Sequence, residues 1–284
     1  MLQEFSFQAP ATKAELITLL QQKGDRLKLL AGGTDLLVDI RGGMSRPEIV
    51  VDIKQIPELR SLSYDAKTGL SIGAAVRCVD VINDKVVREQ YPLLVTAASQ
   101  IGSFQLRNRA TIVGNICTAS PAADMAPALL CLDASVEIWS PAGRRTVSID
   151  KFFTGVKKTV MEKGECVARI IIPAEMGKLR GGMKKLKRIK GHDLALASVC
   201  MVRKEHRLRA AIGACAITPV LLKEFSISSK SAEIVKTALE QIKPIDDIRA
   251  SAKYRLFMVQ TYIEELHAEL TQDVTAKELK RGGK

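Results

Sequence analysis

Two short polar segments interrupt apolar stretches of this 284-residue sequence, and both contain residue types suited to holding a polar ligand. The first, AGGTD, runs from Ala31 to Asp35. Glycines have no Cβ, so a phosphate can approach successive backbone N–H groups that form an anion-binding concavity. The segment is equally typical of a tight turn, because glycine reaches positive φ without steric cost. It matches neither G-x-G-x-x-G nor a Walker loop, so alone it leaves both interpretations open.

The second segment, RNRATIVGNICTASPAAD, is predicted to be a glycine-bearing loop that runs from Arg107 to Asp124 and includes a Gly-Asn pair at Gly114. We predict that it ends at a helix with Ser120 as N-cap and Pro121 in the first turn. Ser120 and Asp124 could contact a ligand there, or they could only cap the helix, since both residue types stabilise any helix start. The two segments together favour a ligand site more than either does alone.

The other residues that can do chemistry are dispersed. The six cysteines include no C-x-x-C pair, and no two of the three histidines stand at metal-ligand spacing. We therefore predict no metal site and no histidine-centred mechanism. The chain is 46% hydrophobic and 26% charged, which is typical of a globular protein. Without a signal segment or an apolar run of membrane-spanning length, we expect a cytoplasmic protein.

The net charge of +12 is concentrated in one stretch. Residues 177–209 contain eleven Lys and Arg against Asp193 and Glu205, which accounts for +9 of the total. A phosphate-binding stripe is one interpretation, but the stretch has no aromatic residue to stack on bases. We favour a solvated basic face or an interface with an acidic partner, and we expect no specific nucleic-acid binding.

A mixed α+β fold must position these residues, because helical and strand-like patterns alternate along the chain. A helix over 12–23 and strands over 27–30 and 49–53 predict a small βαβ-like unit that ends near Leu59. The next part is predicted to hold strands near 62–64 and 70–76, a helix from Val79 that ends at Tyr91-Pro92, and a second helix to Gly102. After the helix at Ser120, the strands SVEIWS, RTVSI and VARIIIP complete this unit.

A different pattern begins with the basic stretch. From Gly177 onward the sequence predicts an antiparallel β-meander, followed by helices over 231–242 and 245–270. We therefore place a first domain at 1–175, with subdomains of about 1–59 and 60–175, and a second at 176–284.

Four motifs in order carry a family resemblance: AGGTDLL, the long segment RNRATIVGNICTASPAADMAPALLCLDASVEIWSPAGRRTVSIDKFFTGVKKT, IIIP, and KKLKRIKGHDLALASV. Over nearly the whole chain the sequence resembles the FAD-binding subunits and domains of molybdenum hydroxylases, the family of xanthine dehydrogenase and aerobic carbon monoxide dehydrogenase. The resemblance implies an α+β, PCMH-type FAD-binding domain made of a small βαβ-like unit and a larger mixed α/β unit. A domain like the C-terminal domain of the carbon monoxide dehydrogenase flavoprotein would follow it.

The resemblance also implies FAD contacts at matching positions. The first segment would wrap the diphosphate with Lys28, Leu29, Leu30, Ala31, Gly32, Gly33, Thr34 and Asp35. The second would complete the diphosphate and ribityl pocket with Ala110, Thr111, Ile112, Val113, Gly114 and Asn115. Asp124 would hydrogen-bond the cofactor, Ile101 and Val167 would pack on flavin or adenine, and Lys185 would lie near the flavin ring, with Lys184 as the alternative register. Val113 replaces a second glycine that the family often has, and valine disfavours positive φ.

In function, the resemblance implies an oxidoreductase subunit. A molybdopterin-binding large subunit would oxidise the substrate, and a [2Fe-2S] small subunit would pass electrons through FAD to an acceptor such as NAD or a quinone. An alternative is a free-standing FAD-dependent oxidase or dehydrogenase of the same fold, and a basic nucleic-acid-binding module is the least favoured. The substrate of the molybdenum subunit is not encoded in this chain.

Overall fold

The computed structural model describes residues 4–23 and 26–281, with side chains through residue 272. Its first unit is a three-stranded parallel sheet in the order β1-β3-β2. The elements are β1 (Ser6–Gln8), α1 (Lys13–Lys23), β2 (Leu27–Leu30), α2 (Leu36–Arg41) and β3 (Ile49–Asp52). The predicted βαβ-like unit is confirmed, while β1 and α2 were not predicted.

The second unit is a five-stranded antiparallel sheet, in the order β4-β5-β10-β6-β7, with short helices packed against it. Its central strand β10 pairs with β5 on one side and β6 on the other. The elements are β4 (Leu62–Asp65), β5 (Gly69–Gly73), α3 (Cys78–Asn83), α4 (Lys85–Gln90), α5 (Pro92–Ser99), α6 (Phe104–Arg107), α7 (Ile112–Cys117), α8 (Met125–Cys131), β6 (Ser135–Ser140), β7 (Gly143–Ser148), β8 (Phe153–Gly155), β9 (Lys158–Thr159) and β10 (Cys166–Ile172).

The third unit confirms the predicted antiparallel meander. Strands β11, β12 and β13 pair in sequence order, β14 and β15 add to β13, and the two last helices pack together against this sheet. The elements are β11 (Arg180–Leu186), β12 (Ala197–Lys204), β13 (Arg207–Gly213), β14 (Val220–Leu221), β15 (Phe225–Ser226), α9 (Ser231–Gln241) and α10 (Ala252–Arg281). Of the helices that the structure describes, none is both long and apolar enough to cross a membrane.

Three predicted helix boundaries are wrong. The helix placed at Ser120 begins at Met125, because Ser120 forms a turn in which its Oγ accepts from the N–H of Ala122. The helix from Val79 is two helices, since the side chain of Asp84 caps a new one through the N–H of Val87. The helix placed over 245–270 starts at residue 252 and runs to 281.

The residues before that last helix form a loop that side-chain hydrogen bonds hold in place. Asp247 accepts from the N–H groups of Arg249 and Ala250, and its Oδ1 lies 2.8 Å from Nη2 of the buried Arg255. Arg255 Nη1 also donates to the carbonyl of Leu196, at the start of the strand region beside it. These hydrogen bonds hold the residues before 252 in a loop, where the apolar pattern predicted the first turns of the helix.

Hydrogen bonds and packing join the second and third units. The N–H of Ala214 donates to the carbonyl of Pro121 at 2.8 Å, and Arg209 Nη2 donates to the carbonyl of Leu130 at 3.2 Å. The buried cluster of the second unit also includes Met183 and Val202 from the third. The units thus share a core, and the boundary between 175 and 176 stays a prediction.

Candidate functional site

The AGGTD segment connects β2 to α2 and contacts the second predicted segment directly. A Cβ built on Gly32 would lie 2.3 Å from the carbonyl oxygen of Arg109 and 2.9 Å from Cα of Ala110. Gly33 has a φ of +75°, which favours glycine. Gly32 is therefore needed for contact between two backbones, and the two segments that the sequence singled out meet at this point.

The N–H side of the AGGTD segment is open. Within the described residues, no acceptor takes the backbone N–H of any residue from 32 to 35. The carbonyl side is fixed, because Lys54 Nζ donates to the carbonyl of Ala31 at 3.2 Å and pairs with Asp52 at 2.7 Å. Consecutive free N–H groups on a restrained segment form a cradle for an anion.

Asp35, the acid of this segment, is exposed but flanked by protein. Desolvation raises the pKa of its carboxyl, Lys157 lowers it, and Asp39 raises it further. Lys157 lies on the turn between β8 and β9, and its N–H donates to the carbonyl of Ala119 at 2.9 Å.

The prediction of a glycine-bearing loop is wrong at Gly114 and Asn115, because both residues lie within helix α7. Thr111 is the N-cap of α7, and its Oγ1 accepts from the N–H of Gly114 at 2.9 Å. Ile112 and Val113 are buried within the helix, so Val113 needs no positive φ. The carbonyl of Ala110 accepts from the N–H of Cys78, which fixes the approach to this helix.

Asn115 connects that helix to Asp124. Its Oδ1 accepts from the N–H of Met125 at 3.1 Å, at the start of α8. The Oδ1 of Asp124 lies 2.7 Å from the Nζ of Lys185, which is on β11. Lys185 Nζ also donates to the carbonyl of Gln100 at 3.1 Å, beside the buried Ile101. The second and third units therefore both contribute to the site.

The Asp124–Lys185 pair is withdrawn from water. The side chains are 11% and 1% exposed, and desolvation raises the pKa of Asp124 although Lys185, Lys187 and His192 lower it. Lys185 is the charged partner of Asp124 Oδ1, and no other donor among the described residues reaches this oxygen. A buried carboxylate oxygen in this state has capacity for a donor from a ligand.

The alternation of a strand separates Lys184 from Lys185. Lys184 Nζ lies 2.8 Å from Glu269 and 3.1 Å from Glu265, both on α10. The side chains of successive strand residues point to opposite faces, so Lys185 alone of this pair faces Asp124. The contact between Lys185 and the flavin stays a prediction.

The remaining predicted contacts are less tightly grouped. Leu29 and Leu30 are half-buried on β2, and Lys28 on the same strand is exposed. Val167 is buried on β10, against which α7 packs. Cys117, at the end of α7, is exposed, yet surrounding protein raises the pKa of its thiol to about 12.

Three supporting residues were missed by sequence reasoning: Lys54, Lys157 and Arg107, whose Nη1 donates to the carbonyls of Ser99, Ile101 and Gly102. Arg107 and Lys157 lie in motifs that carried the resemblance. Their partners are backbone atoms or residues distant in the sequence, so the spacing of residue types could not reveal these roles. Among the residues that the structure describes, no group of three His, Cys, Asp or Glu side chains could hold a metal.

Comparison with known proteins fits this geometry. The model of the family described as the FAD binding domain in molybdopterin dehydrogenase matches residues 3–175. The chain belongs to this FAD-binding family of molybdopterin dehydrogenases. Its cofactor is FAD, and the α+β fold and oxidoreductase class implied by the sequence are confirmed.

Individual relatives match over almost their full length. The chain is 31% identical to the xanthine dehydrogenase FAD-binding subunit of Escherichia coli O157:H7 over 278 residues, 93% of this chain and 95% of that one. It is 33% identical to the carbon monoxide dehydrogenase medium chain of Hydrogenophaga pseudoflava over 268 residues, 89% and 92% of the two chains. A solved structure of carbon monoxide dehydrogenase from that organism, which lacks the Mo-pyranopterin moiety, aligns with a TM-score of 0.87 at 31% identity and covers 96% of this chain and 99% of its own.

The residues present fit the cofactor. The free N–H groups from 32 to 35 suit a diphosphate, and Asp124 Oδ1 is a buried acceptor whose polar partner among the described residues is Lys185. Gly32 lies against Ala110, just before α7, and Met125, next to Asp124, donates its N–H to Asn115 of that helix.

Proposed function

We propose that this chain is the FAD-carrying subunit of a multi-subunit molybdenum hydroxylase. In that complex, [2Fe-2S] clusters of a small subunit deliver electrons to its FAD, and an external acceptor such as NAD or a quinone removes them. The observation that carries the proposal is its similarity over 95% of the length of a subunit named for FAD binding in a xanthine dehydrogenase. A molybdopterin-binding large subunit completes the proposed assembly.

The chain's own residues bind, orient and shield the cofactor. Bound FAD supplies the redox chemistry, because it accepts and releases electrons singly or in pairs. The N–H groups from 32 to 35 hold the diphosphate, and Asp124 accepts a hydrogen bond from the cofactor. The ammonium of Lys185, 1% exposed, stabilises negative charge that develops beside it in a desolvated site. No side chain has to transfer a proton or form a covalent bond.

The test compares the chain alone with the chain purified from its host in its complex. We expect flavin in both preparations, and molybdenum and iron only in the complex, measured by absorbance and by metal analysis of each chromatographic fraction. Acid precipitation should release all flavin to the supernatant, since nothing in the proposal requires a covalent link.

The free-standing oxidase makes a different prediction. The FAD-loaded chain alone would then oxidise a purine, carbon monoxide or an aromatic acid, and its flavin absorbance would bleach on substrate addition. Bleaching without partner subunits would overturn the electron-relay role, and so would a host preparation in which the flavin-containing fraction holds neither metal.

A further inference from the structure

Four consecutive backbone carbonyls, those of residues 99–102, lie where α5 ends. In the described part of the chain, no backbone N–H donates to any of them. The last carbonyls of a helix need donors from outside the helix, and their partial negative charge favours cations. Two cationic side chains supply the donors here, and they share the four carbonyls between them.

Arg107 binds three of these carbonyls through one nitrogen. Its Nη1 donates to Ile101 at 2.9 Å, to Gly102 at 3.2 Å and to Ser99 at 3.3 Å. The half-buried side chain reaches back from the last residue of α6, over a turn in which Gly102 has a φ of +47°. The guanidinium of Arg107 therefore holds the turn formed by residues 99–102.

Lys185 binds the fourth carbonyl, that of Gln100, at 3.1 Å. The same ammonium lies 2.7 Å from Asp124 and is 1% exposed. Lys185 is thus held between a carboxylate and a carbonyl whose position depends on the turn that Arg107 holds. Without Arg107, three carbonyls of this turn would lose their donor, and a partly buried carbonyl without a donor is costly. We expect such a turn to rearrange and to draw the ammonium of Lys185 with it.

We propose that Arg107 is a positioning residue of the cofactor site, which holds the turn 99–102 so that the carbonyl of Gln100 fixes the ammonium of Lys185. Arg107 acts through Lys185 and not by contact with FAD. This inference rests on the proposed function, in which the chain binds FAD and Lys185 stabilises negative charge that develops beside it.

The test is the midpoint potential of FAD bound to the full chain, measured by redox titration. A displaced Lys185 stabilises the anionic reduced flavin less. Arg107→Met should therefore weaken the binding of reduced relative to oxidised flavin by roughly three- to tenfold. This change is a fall in potential of about 15–30 mV, at about 30 mV per tenfold change for a two-electron couple. Arg88→Met removes an exposed arginine of α4 and is the matched control, with no expected change.

A double-mutant cycle separates positioning from other effects of Arg107. Lys185→Met alone should lower the potential, and Arg107→Met added to it should lower the potential no further, because the group through which Arg107 acts is then absent. Additive shifts would show that Arg107 acts by its own charge or by a general loosening of the fold, and they would overturn the proposal. If Arg107→Met does not fold, Arg107→Gln, which keeps a donor for one carbonyl, takes its place in the cycle with a smaller shift in the same direction.

The remaining outcomes are also distinguishable. A wild-type potential in Arg107→Met, or an equal fall in Arg88→Met, would overturn the proposal. A wild-type potential in Lys185→Met would overturn it as well, while the assignment of FAD to the chain would stand. A wild-type chain that binds no FAD would instead refute the cofactor assignment itself.

Discussion

Replacing Gly32 by alanine should separate the two segments of the site. The added Cβ would lie 2.3 Å from the carbonyl oxygen of Arg109 and 2.9 Å from Cα of Ala110, distances far inside van der Waals contact. Both obstacles are backbone atoms, so no side-chain rotation relieves the clash and one segment must move by about 1 Å. Gly32 does not have a positive φ, so the cost is steric alone.

The expected cost is about 1–3 kcal/mol of unfolding free energy, the range for overpacking a closely packed site. It should appear in the apoprotein as a lower midpoint of urea unfolding with an unchanged m value. Gly191→Ala is the matched control, because its Cβ would meet only Ile189 Cδ1 at 3.8 Å, and we expect no shift of the midpoint.

The result that refutes this reasoning is an apoprotein of Gly32→Ala with wild-type stability. If that variant also failed to bind FAD, Gly32 would serve the approach of the ligand and not the contact with Arg109. If it bound FAD normally, neither role would hold.

Three other measurements check the structure. The pKa of Asp124 is raised in the fold, so its carboxyl binds a proton more tightly there than in the unfolded chain. The stability of the wild type should therefore fall relative to that of Asp124→Asn as the pH rises from the ordinary pKa of 3.8 through the folded pKa. Urea midpoints of the two proteins that run parallel across that window would contradict the burial of its charge. Ala214→Gly should raise the free energy of unfolding by about 0.5–1 kcal/mol, because Ala214 has a φ of +62°. Ala210→Gly, on β13, should lower the free energy of unfolding. The same sign for both variants would contradict the positive φ of Ala214. Cys117 should react with iodoacetamide more slowly than an ordinary thiol, because surrounding protein raises the pKa of its thiol to about 12. Modification at the rate of a free cysteine peptide, followed by mass spectrometry, would show that this thiol is not desolvated.

The sequence predicted elements well where local pattern and packing agree. The branched apolar runs at 27–30 and 49–53 became β2 and β3, and the alternating stretch after residue 197 became the hairpin of β12 and β13. Local capping signals were less reliable. Ser120 followed by Pro121 had the chemistry of a helix start, but Asn115 Oδ1 binds the N–H of Met125 and starts the helix later.

The candidate site was predictable as a set of segments and not as a set of contacts. Motif order predicted the residues, while the meeting of Gly32 with Arg109 and of Asp124 with Lys185 depends on how three units pack. The choice between Lys184 and Lys185 needed the register of β11 relative to Asp124. The place of Lys157 depends on a hydrogen bond to Ala119 that no local pattern encodes.

The ion pair of Asp124 with Lys185 also sets an order of events during biosynthesis. Asp124 leaves the ribosome before Lys185, and its buried position exists only after β11 has formed and packed on the earlier unit. In a nascent chain that has completed only β10, Asp124 has no Lys185 to pair with, and the shared core still lacks Met183 and Val202. The cofactor site is therefore completed late, so a chain stalled before β11 lacks part of it.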